Sequence, residues 1–391
     1  MKQRYDSYKP SGIDWIGEIP SHWELLRMRF LCDMITGDKD TINKVDDGEY
    51  PFYVRSPQIE RINSYSFDGE AVLMAGDGVG AGKVVHYANG KFDFHQRVYN
   101  FHNFKGIKGI FLFHYLKTLF KYKIEEGGAK NTVDSVRQPW LKDFPICVPS
   151  LPEQEAIATW LDEKCSEIDA AIAKVDREIE LIYELKQSEI SRVVTRGLNP
   201  DVPLKQSGID WIGEVPEHWE ISKLKYFSNI FSGEPLDNEF KTDDIEIPIY
   251  GGGNILGYSK SSNCQANTLI LGRVGGDGTV RLIKKKFWAT DNALIIDTVL
   301  NKTYVQGVLN CAELLRLSTS TAQPLLTSSK IGDLYVPLPP LTEQQSISDY
   351  LDRKCAEIDG LKEKLVKKRE TLKELRQSII SEVVTGKRKV I

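Results

Sequence analysis

Arg55, Ser56 and Gln58 follow the β-rich run YPFYV, Lys83 sits on the glycine run GDGVGAGK, and His95, Gln96 and Arg97 stand together after KFDF. Lys130 and Asn131 lie in the polar stretch GGAKNTVDSVRQ. The second half of the chain offers a comparable set: Asn254 after IPIYGGG, then Lys260, Arg273, Arg281, the run Lys284, Lys285 and Lys286, and Asn292. Arginine can donate two hydrogen bonds to guanine, and asparagine or glutamine can exchange two with adenine, so such side chains on loops suit major-groove readout. Any one of them is an ordinary solvated side chain. Their recurrence at matched places in two halves of one chain, Gln96 over Asn292 for example, makes them candidate DNA-binding residues.

Other chemistry finds little support. GDGVGA at Gly76 to Ala81 fits GxGxxG/A, but the β-branched KVVHYANG follows it where a dinucleotide site needs a helix, and the second copy, GRVGGDG, lacks the pattern. A tight hairpin with close backbone approach is the expected structure. A P-loop would need glycine where Asp77 stands. HExxH, GxSxG and the Asn-Pro-Pro-aromatic run of amino-methylating enzymes do not occur. His22 and His218 sit beside Trp23 and Trp219 in a repeated motif, which points to structural hydrogen bonds. Cys32, Cys147, Cys165, Cys264, Cys311 and Cys355 lie far apart with no CxxC pair, as expected of small apolar residues and not of a zinc site or disulfide framework. The residues predict a chain that does no chemistry and has no metal or cofactor of its own.

The elements that must position these side chains are written twice. SGIDWIGEIPSHWE, Ser11 to Glu24, returns as SGIDWIGEVPEHWE, Ser207 to Glu220, with 12 of 14 positions identical at an offset of 196. That offset also matches Gly76 to Gly272, Gly80 to Gly276 and Gly82 to Gly278, while LPEQEAIATWLDEKCSEID from Leu151 returns as LTEQQSISDYLDRKCAEID from Leu341 at an offset of 190. The order is therefore variable domain 1–150, constant helix 151–200, variable domain 201–340, constant helix 341–391. Leu161, Cys165, Ile168, Ile172, Val175, Ile179 and Ile182 alternate steps of four and three as a coiled-coil seam requires. The partner stripe is Leu351, Cys355, Ile358, Leu365, Leu372, Leu375 and Ile379, interrupted by Lys362 and Arg369. Ser150 with Glu153, and Thr342 with Gln345, fit capping-box spacing. About 45 residues at 1.5 Å each predict a rod of roughly 65 Å. The variable domains read as mixed α and β, with GIFLFHYLKTLFKY a buried helix and KDFPICVPSLP and GDLYVPLPPLT strands leading into the rods.

The 391 residues carry 51 Lys plus Arg against 55 Asp plus Glu, a net charge of -4, which excludes a uniformly basic protein. By segment the balances are +1, -5, -3 and +3. An acidic and a basic helix, each with one apolar stripe, should pair with each other, antiparallel within the chain. With no long apolar run and no apolar region in MKQRYDSYKP, neither a membrane span nor a signal peptide is expected, and a cytoplasmic location follows. From the residues alone, a coiled-coil adaptor with two protein-binding heads remains the competing class.

The motifs SGIDWIGEIPSHW and its copy, the PSLPEQ and PPLTEQ entries to the helices, and the LDEKCSEID and LDRKCAEID repeats resemble the specificity (S) subunits of type I restriction-modification systems over essentially the whole chain. The resemblance implies an α+β fold: two α/β target-recognition domains separated by a pair of long antiparallel coiled-coil helices, with an internal pseudo-twofold repeat. It implies a noncatalytic subunit that reads a bipartite double-stranded DNA site, two half-sequences split by a nonspecific gap. It further implies two modification (M) subunits, holding S-adenosylmethionine and methylating adenine N6, and ATP-dependent restriction (R) subunits, with ATP and Mg on the partners. Rod length would then set the gap.

Overall fold

The computed structural model describes residues 3–126, 135–235, 247–318 and 325–390. Lys130 and Asn131 lie outside the described residues. The chain divides into two compact units, Met1–Asp176 with Lys367–Ile391, and Arg177–Val366. Each long helix, Leu151–Arg196 and Leu341–Val384, contributes one part to each unit.

In the first unit a six-stranded sheet runs in the order Asp33–Thr36, Val98–His102, Phe67–Ala75, Val85–Phe94, Tyr50–Tyr53, Glu60–Ile62. All neighbours are antiparallel except Tyr50–Tyr53 beside Val85–Phe94. The central run AVLMA is apolar without alternation because both faces are buried. Val72 and Met74 join the core built on the helix Gly109–Glu126, while Ala71 and Leu73 pack with Phe92, Phe94 and Val98 on the other face. That helix buries Phe111, Leu112, Tyr115, Leu116, Leu119 and Phe120, a stripe at helical spacing.

The second unit has a four-stranded sheet, Ser228–Ser232, Ala293–Thr298, Thr268–Gly272 and Val280–Ile283 in that order, and a three-stranded one, Ile255–Ser259, Ile247–Tyr250 and Trp288–Ala289. Its head helix, Lys302–Cys311, has 10 residues where the first head has 18.

The repeated motif folds the same way twice. The hairpin Tyr8–Pro10 with Glu18–Pro20 precedes the strand Glu24–Arg27, which pairs with Pro145–Val148 just ahead of the first long helix. Leu204–Gln206 with Glu214–Pro216, then Glu220–Lys223 with Tyr335–Leu338, repeat the arrangement. Trp23 and Trp219 are fully buried. Trp23 donates its indole N–H to Glu153 near the start of one helix and packs under Gly386, just past the end of the other. Trp219 does the same with Glu343 and Gly197. Both glycines have left-handed φ, +73° and +74°, which end the helices, and a Cβ on Gly386 would come within 2.3 Å of Pro20.

The helices pair antiparallel within each unit. In the first, Asp169 accepts from Arg376 and Asp176 from Arg369, each at 3.2 Å, so partner numbers fall as residue numbers rise. In the second, Lys186 donates to Asp359 at 2.7 Å. Leu161, Cys165, Ile168, Val175, Leu351 and Ile358 are buried in the seam. Leu375 is not: it is 46% exposed, because Arg376 takes the inward position against Asp169. Only the reciprocal half of the first capping box forms: the Ser150 hydroxyl donates to Glu153 Oε2 at 2.8 Å, and the Ser150 backbone N–H donates to the same oxygen at 3.2 Å. The second box does not form. Thr342 is already inside the helix, which starts at Leu341 behind Pro340, and Gln345 donates instead to Asp349.

All six cysteines are free, four of them buried. The glycine run forms the turn of the hairpin between Phe67–Ala75 and Val85–Phe94, with no helix behind it. A Cβ on Gly80 would stand 2.5 Å from the Arg55 carbonyl oxygen, which is the close approach that its sequence implied.

Candidate nucleic-acid interface

In the first head the strand ends bring Arg55, Gln96 and Arg97 to one place. Arg55 Nη1 donates to Asp77 Oδ1 at 2.9 Å and Arg97 Nη1 to Asp77 Oδ2 at 2.7 Å. The carboxylate is 13% exposed and the guanidinium side chains 42% and 61%, so the acid forms the floor and the bases the surface. Gln96 donates to Asp40 at 2.8 Å. Backbone bonds hold the cluster: Gly76 N–H to the Arg97 carbonyl, Val136 N–H to the Gly76 carbonyl, and a bridge between Asp77 and Ser135.

His95 is a correction. Its ring is 1% exposed, so it cannot meet a base edge. Nδ1 accepts the Arg97 backbone N–H at 2.9 Å, which leaves the ring proton on Nε2, 3.9 Å from Asp40. Burial, with Arg55 nearby, lowers its pKa and keeps it neutral. Ser56 turns the chain by accepting the Gln58 N–H, and Gln58 and Lys83 are exposed. Val79, at the tip of the glycine turn, is 93% exposed, an apolar side chain beside the arginines that the polar pattern did not pick out.

In the second head Arg273 N–H donates to the Asn292 carbonyl, and its guanidinium reaches Ser232 Oγ at 3.4 Å. Arg281 makes a two-point ion pair with Asp277, at 3.2 and 2.5 Å, and lies against Gly253, next to Asn254. Hydrogen bonding from Arg281 holds the Asp277 carboxyl below the usual range. Lys284, Lys285 and Lys286 are an exposed run after the strand Val280–Ile283, and Lys260 is exposed at the end of Ile255–Ser259.

The matching of the two heads also changes. Val72 and Phe101 are hydrogen-bonded neighbours facing the helix core in the first head; Leu269 and Ile296 hold that place in the second. Gly76 N–H bonds to Arg97 as Arg273 N–H bonds to Asn292, and the bridges Asp77–Ser135 and Val274–Leu325 correspond. The structural counterpart of Asn292 is therefore Arg97, not Gln96, and that of Gly76 is Arg273, not Gly272. The hairpin turn is two residues shorter in the second head, so the offset is 197 before it and 195 after it. An ungapped offset of 196 keeps the glycines in view but slips each strand by one residue, which reverses its faces.

Among the described residues no group of three or more His, Cys, Asp or Glu is placed to hold a metal ion, and no helix is long and apolar enough to cross a membrane.

The model of the type I restriction modification DNA specificity domain matches residues 20–181 and 216–368, more than three quarters of the chain. The EcoDI type I restriction enzyme specificity subunit of Escherichia coli is 24% identical over 414 aligned positions, covering 95% of this chain and 89% of that one. The MjaVIII specificity subunit of Methanocaldococcus jannaschii is 25% identical over 429, covering 95% and 94%. A solved structure from work on complex assembly and conformational transition of the type I R-M system shares the fold, with a TM-score of 0.72 at 14% identity over 94% of this chain and 98% of that one. With a family match in each head and relatives of full length, the chain belongs to the type I restriction modification DNA specificity domain family and is a noncatalytic DNA specificity subunit of a type I restriction-modification complex.

Proposed function

We propose that each head reads one half of a bipartite double-stranded DNA site, through Arg55, Gln58, Lys83, Gln96 and Arg97 in the first and Asn254, Lys260, Arg273, Arg281, Lys284 and Asn292 in the second. The observation that carries this is that equivalent strand ends present Arg97 in one head and Asn292 in the other. Arginine suits guanine and asparagine suits adenine, so one scaffold offers two different half-sites. The segments 1–150 and 201–340 act as the target-recognition domains, and 151–200 and 341–391 as the spacer helices.

The chain assembles with modification (M) subunits, two in this reading, and with restriction (R) subunits. As a specificity subunit it needs no cofactor of its own; S-adenosylmethionine, ATP and Mg belong on the partners, and the complex works in the cytoplasm. The net charge of -4 limits nonspecific attraction to phosphate, so the partners supply much of it. Gel-shift titration should therefore give weak DNA binding by the isolated chain and tight, sequence-specific binding once M is added. Tight specific binding without M would contradict that division of labour.

A further inference from the structure

We infer that Asp77 is a positioning residue that fixes Arg55 and Arg97 as a guanine-reading pair in the first head. The inference rests on the proposal that this head reads DNA. Each oxygen of the one carboxylate takes one guanidinium through a single Nη1, at 2.9 and 2.7 Å, leaving the other donors of each side chain for a ligand. The acid is sunk to 13% exposure beneath arginines that are 42% and 61% exposed.

The backbone behind the cluster is tied down as well. Arg97 N–H is held by His95 Nδ1, its carbonyl by Gly76 N–H, and Asp77 is bridged to Ser135. Contact with phosphate needs positive charge and no fixed plane, and a carboxylate between two arginines weakens it by cancelling one of their two charges. Two-point donation to guanine O6 and N7 needs the plane fixed, and loses less from the nearby acid. The second head does not repeat the pairing: Val274, Asn292 and Gly252 stand at the places of Asp77, Arg97 and Arg55, and Arg281 there gives both ends of its guanidinium to Asp277, while the Lys284 to Lys286 run is exposed.

The test maps methylated DNA made by the full complex of this chain with M, for the wild type and for Asp77→Asn, Arg97→Lys and Asn292→Ala. Asn292→Ala assigns the half read by the second head. The other half of the wild-type site should contain a G:C pair, and Asp77→Asn should relax that position by roughly tenfold to a hundredfold. The Asn292 half and the salt dependence of binding should be unchanged. Should Asp77→Asn fail to fold in a thermal melt, Arg97→Lys must relax the same position, because lysine keeps the charge but not the two-point contact. A first half without G:C, unchanged specificity, or a uniform gain at all sites with a steeper salt slope for Asp77→Asn would overturn the inference and leave the DNA-reading proposal standing. A wild-type complex whose methylation does not depend on this chain would overturn both.

Discussion

Trp219 donates its indole N–H to Glu343 across 2.9 Å, and Trp23 makes the corresponding bond to Glu153 at 3.3 Å. His218 and His22 reach the same carboxylates at 2.7 and 2.9 Å. Each repeated motif thus holds the start of one long helix by hydrogen bonds and the end of the other by the packing of its tryptophan under Gly386 or Gly197. Its role is to fix helices on heads, which is why it is written twice almost without change while the loops differ.

Removing either carboxylate should therefore loosen a whole unit. Glu153→Ala leaves the indole N–H of a fully buried tryptophan unpaired and should cost about 1–3 kcal/mol. Glu343→Ala should cost less, because that side chain is 40% exposed against 12% for Glu153. Calorimetric melts of the two variants check the order, and equal stability to wild type in both would contradict the clamp.

The first head should be the acid-sensitive one. Burial lowers the pKa of His86, His95 and His114, the last despite Asp162 at 3.1 Å. Each stays neutral when folded, while the unfolded chain takes up protons below about pH 6.5. Their contribution is complete above that pH and is lost as pH falls below it toward their lowered folded values. The second unit contains one histidine, His218, which is 46% exposed. Amide exchange at about pH 7.5 and pH 5.5 should show residues 85–120 losing protection while 268–311 hold. Equal loss in both heads would count against this.

Spacing should follow helix length. Inserting about four residues at matching points in both long helices adds roughly 6 Å of rise, close to two base pairs. The nonspecific gap should widen by one or two base pairs with both half-sites unchanged. Methylation mapping of the double insertion reads this directly, and an unchanged gap would rule it out.

The repeats, the long helices and their antiparallel pairing were legible because a twelve-in-fourteen identity and a seam from Leu161 to Ile182 need no tertiary context. Four features were not. The two-residue shortening of the second hairpin turn is invisible to an ungapped offset, which places Asn292 against Gln96 instead of Arg97. Asp77 carries no donor that could read a base, so its type alone does not mark it, although its place between two glycines of GDGVGA marks a constrained turn. His95 and Leu375 depended on which side of a strand or helix faced inward, which neighbouring elements decide.

Long-read mapping of methylated adenines in cells that carry this chain with its M partner tests the central claim most directly. Two short half-sites at a fixed separation should appear, with one replaced when residues 1–150 are exchanged for those of a relative and the other replaced when 201–340 are exchanged. A single continuous motif, or a motif that survives both exchanges, would contradict the account of two independent reading heads.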